Sequence, residues 1–110
     1  MLVKNYRQVR PEPALEAPGV TVRWVISGKD GAPNFAMRVF EVEPGAASPF
    51  HTHPWEHEVY ILDGKGYVRG KDDKMPFSEG DVVFVAPNEK HQFVNDGDSV
   101  LRFICVIPLQ

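Results

Sequence analysis

The sequence predicts an all-β fold, a sandwich or barrel of short strands, and two observations support this prediction. Ten prolines and nine glycines among 110 residues leave few uninterrupted windows longer than about 12 residues, the length at which a helix becomes comfortable. The segments that remain have the length of strands, and turn sequences separate them. Many short strands at such spacing indicate a sandwich or a barrel.

Seven strands are predicted between the turn sequences. In chain order they are residues 20–27, 35–43, 57–63, 66–71, 81–85, 91–95 and 100–107. Turns rich in glycine, asparagine and aspartate separate them at residues 28–31, 43–45, 63–64 and 95–97. Residues 1–19 contain three prolines and are predicted to form an extended N-terminal arm, which would be available to wrap a neighbouring subunit. Residues 20–110 are predicted to form one domain.

Composition narrows the classes of function. The net charge is −3, from 12 basic and 15 acidic residues, and no basic cluster favours nucleic acid as a partner. No apolar stretch approaches the roughly 18 residues of a membrane span, and the N-terminus lacks the apolar segment of a signal peptide. A single cysteine, Cys105, excludes a disulfide within the chain. We therefore expect a cytoplasmic protein that binds neither membrane nor nucleic acid.

All four histidines lie in two short segments, and this concentration predicts a metal site. Alternate residues of an extended chain point to the same side, so His51 and His53 project two imidazoles together. His57 has the same parity, and His91 would return from a later strand to complete the set. A single histidine is usually an ordinary surface or core residue, whereas a cluster indicates metal or catalytic chemistry. Neutral imidazoles suit Mn, Fe, Co, Ni, Cu or Zn better than Ca or Mg.

The first histidine segment resembles the first motif of the cupin superfamily. That motif is a glycine, five residues, His-x-His, three or four residues, a glutamate, six residues and a glycine. Gly45, His51, His53 and Gly64 fall into place. His57 stands where the glutamate ligand is usual. Its neighbour Glu58 is the alternative ligand, but strand alternation would turn Glu58 away from a barrel interior that His57 faces.

The second segment resembles the second cupin motif, with two departures. Gly80, His91 and Asn95 match, while Ala86 stands where proline is usual and Asn88 stands where glycine is usual. Asparagine tolerates the left-handed backbone that such a turn requires.

The resemblance implies a double-stranded β-helix, or jelly-roll barrel, with a metal at its centre. Among cupins, the chain is similar to the small single-domain bacterial group with four histidine ligands, some of which bind manganese and support oxygen chemistry. It therefore implies one divalent metal, manganese first, with iron, nickel, copper, cobalt or zinc open. Because small cupins commonly dimerise, it also implies a homodimer.

Strand alternation predicts which side chains line a substrate pocket beside this metal. The predicted set is Arg38, Phe40, Val59, Phe103, Cys105 and Ile107, and Trp55, which lies between the ligands, is placed over the same pocket as a lid. An inward Arg38 would need an anionic partner such as a substrate, although a bulge could turn it outward. Cys105 would either line the cavity or fill the core as an apolar residue.

Three functional classes follow for this predicted site. The first is a transition-metal oxygenase, dioxygenase-like, acting on a small organic molecule. The second is a metal-dependent isomerase or lyase, which needs a proton-transfer residue. The third is a small-molecule binder without turnover. The sequence favours the oxygenase and identifies no catalytic residue beyond the ligands. A purely structural metal site, which also takes four ligands, is the remaining alternative.

Overall fold

A computed structural model describes residues 1–109 and confirms the all-β prediction. Gln110, the last residue of the predicted domain 20–110, lies outside the described residues. Nine strands in the described part follow one another as β1 Glu12–Pro13, β2 Val20–Ile26, β3 Phe35–Val42, β4 His57–Asp63, β5 Lys65–Arg69, β6 Lys74–Ser78, β7 Val82–Val85, β8 Gln92–Val94 and β9 Leu101–Pro108. Two single-turn 3-10 helices occupy Tyr6–Gln8 and Gly28–Asp30.

The strands form two antiparallel sheets that enclose the core. The larger sheet has the order β1-β2-β3-β9-β4-β7, and the smaller has the order β6-β5-β8. Isolated bridges join Ala47 to Val94 and His51 to His91. The segment between β3 and β4 therefore lies beside β8 and links the two sheets at the end of the barrel that carries the histidines.

Burial along β4 and β9 follows the period of two that a half-buried strand requires. In β4, His57, Val59 and Ile61 are buried, while Glu58 and Tyr60 are exposed. In β9, Leu101, Phe103, Cys105 and Ile107 are the buried residues. Because the strands are neighbours in the larger sheet, their buried side chains form one continuous inner face.

Asn95 ties the end of β8 to two other parts of the barrel. Its side chain is 1% exposed, and Nδ2 donates to the carbonyls of Val42 and Ser99, each at 2.8 Å. Its Oδ1 accepts from the amide of Gly97 at 2.9 Å. These three bonds pair backbone groups on both sides of the turn with a buried side chain. They also hold the end of β8, the strand that follows His91, against the end of β3.

Two short strands escaped the sequence prediction for physical reasons. In β6 only Phe77 is buried, so no alternation marks the strand, and Pro76 is tolerated because β6 is an edge strand. The second, β1, has just two residues. The predicted strands at 66–71, 81–85 and 91–95 each differ from the observed bounds by one or two residues. Asn88 has φ of 67°, the left-handed conformation expected there.

The N-terminal segment lies along its own barrel. β1 pairs with β2 through Glu12 and Val22. The carbonyl of Val9 accepts a hydrogen bond of 3.0 Å from Nε of Arg23, and the Arg23 guanidinium lies 5.4 Å from the ring of Tyr6. Part of the predicted arm therefore covers the outer side of β2, and β1 extends the larger sheet by one strand.

Candidate metal centre

Three histidines from two segments form a compact group of potential ligands. His51 and His53 lie in the segment before β4, and His91 lies immediately before β8. One ring nitrogen of each can be chosen so that all lie within 4.8 Å of one another. The His51 ring is 4.1 Å from that of His53 and 5.0 Å from that of His91, measured between centroids. Two backbone hydrogen bonds between His51 and His91, of 3.1 and 2.9 Å, hold the segments together.

His57 borders this group from the first position of β4. Its ring centroid is 4.9 Å from that of His91 and 5.3 Å from that of His53. Its Nε2 atom is buried and has no hydrogen-bond partner among residues 1–109, whereas Nδ1 lies 3.2 Å from Sγ of Cys105. A buried polar atom without a partner is unfavourable by about 1–3 kcal/mol, and a bound cation would satisfy it.

Glu58, the alternative ligand, faces the other side of the sheet. It is exposed and pairs in register with Phe84 of β7 and Val106 of β9. Burial, together with the neighbouring Glu56, raises the pKa of its carboxyl above the usual value. The strand therefore presents His57 to the histidine group and Glu58 to the outer surface.

A hydrogen bond orients the ring of His91, and stacking orients the ring of His53. Nδ1 of His91 lies 2.8 Å from the carbonyl oxygen of Glu89. Because a carbonyl only accepts, Nδ1 carries the proton and Nε2 keeps the lone pair that a metal requires. The His53 ring stacks on Trp55 with centroids 4.4 Å apart and planes 5° from parallel.

Burial keeps the imidazoles of His51, His53 and His57 neutral at physiological pH. It lowers the pKa of His51 to about 4 and that of His57 to about 3, and it lowers the pKa of His53 as well. The neighbouring histidines and Arg38 lower these values further by charge repulsion. A cluster of neutral imidazoles with free lone pairs is the donor set that divalent transition metals prefer. The residues therefore fit a metal of this class.

A cavity of about 730 Å³ opens beside the histidines, and its wall is mainly apolar. Four of the predicted pocket residues line it together with all four histidines, namely Arg38, Phe40, Phe103 and Cys105. The other three are placed elsewhere. Val59 and Ile107 are buried in the core, and Trp55 lies against His53. The cavity thus lies between the inner face of the larger sheet and the histidine group.

Sequence reasoning missed several residues of the cavity wall. Trp24, Phe50 and Phe93 line it, as do Glu12 and Glu16 from the N-terminal segment. Alternation along β2 was a usable signal for Trp24, because Val20 and Val22, which share its parity, are buried. Nothing in the sequence marked the N-terminal segment as part of the wall, since its position depends on pairing between β1 and β2.

Arg38, His57 and Cys105 meet at the base of the cavity. Nη2 of Arg38 donates to Sγ of Cys105 at 3.1 Å and approaches Nδ1 of His57 to 3.5 Å. Arg38 and Cys105 are register partners on β3 and β9. Burial raises the pKa of the Cys105 thiol despite the nearby guanidinium, so the thiol stays protonated and weakly nucleophilic at neutral pH.

The chain belongs to the cupin domain family, whose model matches residues 38–107. Of curated proteins, it is 36% identical over 70 residues to an oxalate-binding protein of Thermotoga maritima, covering 63% of this chain and 58% of that protein. It is 34% identical over 94 residues to a glucose-6-phosphate isomerase of Pyrococcus horikoshii, covering 73% of this chain and 49% of that enzyme. Across the matched curated relatives, it spans between about a third and three fifths of their length.

A solved structure matches the whole chain. The polyketide cyclase RemF of Streptomyces resistomycificus superposes with a TM-score of 0.94 at 32% identity, covering 100% of this chain and 80% of that one. A predicted oxalate decarboxylase of Thermotoga maritima superposes with a TM-score of 0.85 at 27% identity, covering 99% of this chain and 100% of that one. These matches confirm the cupin barrel, and they span relatives of several different activities. Across residues 1–109, no helix has the length and apolarity to cross a membrane.

Proposed function

We propose that this cupin is a metal-dependent enzyme that folds and cyclises a small, carbonyl-rich organic molecule without net oxidation. One observation carries the proposal: the histidine group opens directly onto a cavity of about 730 Å³ with a mainly apolar wall that includes several aromatic rings. Such a wall favours a flat, conjugated molecule. The histidines would hold the metal against one end of that molecule.

In this proposal the ligands are His51, His53, His91 and, as a fourth, His57. The partnerless Nε2 of His57 supports its inclusion. A metal with these neutral ligands keeps its full dipositive charge, and when bound it supplies Lewis acidity to a substrate carbonyl. Manganese is the metal we propose, and the same nitrogen donors would accept iron, nickel, copper, cobalt or zinc.

The chain's own residues supply binding and orientation. The rings of Phe40 and Phe103 stack with centroids 5.2 Å apart, and Phe93 lies 5.1 Å from Phe103. These rings form a continuous apolar wall against which a flexible chain of carbonyls would fold. Holding the two reacting carbons of one molecule together accelerates ring closure because it removes freedom before the reaction.

Two comparisons support a reaction without net oxidation. The polyketide cyclase RemF matches over the full length of this chain. Glucose-6-phosphate isomerases are among the curated relatives, and their reaction also needs no external oxidant.

An oxygenase, which the sequence favoured, is the second candidate. It is supported by similarity to an acireductone dioxygenase of Tuber melanosporum, 37% identical over 60 residues, covering 48% of this chain and 35% of that enzyme. The same metal and cavity would then bind a substrate that dioxygen attacks. A binder without turnover is the third candidate, supported by the oxalate-binding relative.

Anaerobic turnover separates these candidates. We would incubate manganese-loaded protein with a linear aryl polyketone, with and without dioxygen, and follow products by mass spectrometry and oxygen by electrode. Cyclisation predicts a product lighter by one water, formed equally well without dioxygen. An oxygenase predicts oxygen uptake and no anaerobic product. Binding without either reaction identifies a binder. His91→Ala serves as the matched control, because loss of the metal should abolish any true turnover.

A further inference from the structure

Arg38 differs from the two neighbouring arginines of the same sheet because it has no acidic partner in the described part of the chain. Arg23 and Arg102 both pair with Glu41, and Arg102 also pairs with Asp63. Within residues 1–109, Arg38 takes part in none of the ion pairs, and its buried Nε has no hydrogen-bond partner. A half-buried guanidinium without an anion is unfavourable, because lost hydration is not replaced by a charged partner.

The surroundings of Arg38 point to a ligand rather than to a protein partner. Its guanidinium lies 5.2 Å from the ring of Trp24 and 4.8 Å from that of Phe40, and all three residues line the cavity. The contact with Cys105 occupies one of its five N–H groups. The remaining donors lie in a planar fork, the geometry that matches the two oxygens of a carboxylate.

Charge within the cavity also favours an anion close to the histidines. The acidic residues of the wall, Glu12 and Glu16, belong to the N-terminal segment and are exposed. The histidine end carries Arg38 as its permanent charge, and a divalent cation there would add to it. The positive end of the cavity is therefore the buried end, where charges interact most strongly.

We propose that Arg38 anchors a carboxylate on an aromatic or otherwise conjugated substrate, which lies in the cavity that Trp24 and Phe40 also line. This deepens the proposed function, on which it rests only in taking this cavity as the substrate site. His57 belongs to the proposed ligand set, and its Nδ1 lies 3.5 Å from Nη2 of Arg38. One substrate molecule can therefore contact Arg38 and a metal held by the histidines at the same time. Arg38 would set which molecules bind, and the metal would act on a second oxygen of the same molecule.

The test compares binding of naphthoate with that of its methyl ester, which has the same rings but no negative charge. Affinities are measured by isothermal titration calorimetry on metal-free and zinc-loaded protein. Metal-free wild type should bind naphthoate at least about tenfold more tightly than the ester, a difference typical of one charge-assisted contact. Arg38→Gln should remove this preference and leave the affinity for the ester unchanged.

Arg102→Gln is the matched control, because Arg102 is paired on the sheet and does not line the cavity. It should retain the wild-type preference. Arg38→Lys, which keeps the charge but not the planar fork, should retain part of the preference, and it provides a second variant if Arg38→Gln unfolds. Melting temperature and zinc stoichiometry are measured for each variant.

Two outcomes overturn the proposal. In the first, metal-free wild type binds acid and ester equally. In the second, the preference of the metal-free protein survives in both Arg38 variants. If the first outcome is found and a preference for the acid appears only after zinc is added, the metal rather than Arg38 anchors the anion. The result is independent of turnover. If the protein does not cyclise the polyketone but loses its preference for the acid on Arg38→Gln, the role of Arg38 is supported and the proposed cyclisation is contradicted. If the protein cyclises the polyketone but Arg38→Gln keeps the preference, the cyclisation is supported and the role of Arg38 is contradicted.

Discussion

Replacing His57 by leucine should have opposite effects on stability with and without metal. Leucine fills a similar volume but has no polar atom to bury. In metal-free wild type, the partnerless Nε2 destabilises the folded state by about 1–3 kcal/mol. The contact between Nδ1 and Cys105 offsets about 0.5–1 kcal/mol of this, since sulfur is a weak acceptor. We expect His57→Leu to stabilise the metal-free protein by about 1 kcal/mol, the difference of these contributions.

Adding metal should reverse the order of the two proteins. If His57 is a ligand, its loss should weaken metal affinity by at least about tenfold. At a hundred times the wild-type Kd, the metal then stabilises the wild-type fold by about 2.7 kcal/mol and the variant by about 1.4 kcal/mol, and this difference of about 1.3 kcal/mol exceeds the gain of about 1 kcal/mol from leucine. Wild type should therefore be the more stable protein in saturating manganese and the less stable one in chelator.

Urea unfolding followed by tryptophan fluorescence measures the free energy of unfolding of both proteins, in chelator and in saturating manganese. A change of 1 kcal/mol moves the urea midpoint by about 0.3–1 M for a protein of this size. Val59→Ala is the control, since Val59 lies two residues further along β4 and is 3% exposed. It should lose roughly 2 kcal/mol in both conditions. Finding His57→Leu less stable than wild type in chelator would refute the reasoning and identify His57 as an ordinary core histidine.

Three further predictions concern the barrel and its assembly. Asn95→Ala should lose about 3 kcal/mol of unfolding free energy, from the three hydrogen bonds of this buried residue at about 1 kcal/mol each. At neutral pH, Asn95→Asp should unfold still more easily, because its carboxylate would face two carbonyls; urea midpoints in the opposite order would contradict this. Gly66→Ala should prevent soluble expression or lower the melting temperature by more than 10 °C, which corresponds to a loss of roughly 2 kcal/mol or more of unfolding free energy. The reason is that a Cβ at this position would lie 2.1 Å from the carbonyl oxygen of Val94. A variant with the melting temperature of wild type would contradict this close contact. The homodimer remains a prediction, and we place its interface at the exposed Val82 and Phe84 on edge strand β7. Light scattering should therefore find a dimeric wild type and a monomeric Phe84→Glu variant, and a monomeric wild type would contradict the homodimer.

Residues of the metal centre that local chain geometry positions could be predicted from the sequence, whereas residues that long-range strand pairing positions could not be predicted from local geometry alone. His51 and His53 are two residues apart, and local chain geometry alone was enough to bring them together. His91 needed the cupin resemblance, because its position depends on backbone pairing with His51 across the barrel. The parity of β4 correctly predicted that His57 faces inward and Glu58 outward.

The parts of the fold that sequence reasoning missed depend on distant contacts. β6 has one buried side chain, so its residues carry almost no hydrophobic pattern, and its strand conformation comes from pairing with β5. The cavity wall includes the N-terminal segment only because β1 pairs with β2. In both places, the tertiary structure determines a conformation that local propensity leaves open.

The central claim is that four imidazoles hold one divalent transition metal at the end of an apolar cavity. Elemental analysis of protein purified without added metal, combined with pulsed electron paramagnetic resonance of the manganese form, tests it most directly. We predict one metal per chain, couplings from four imidazole nitrogens, and exchangeable water on the metal. Three nitrogens with a carboxylate, or a protein that binds no transition metal with useful affinity, would contradict it.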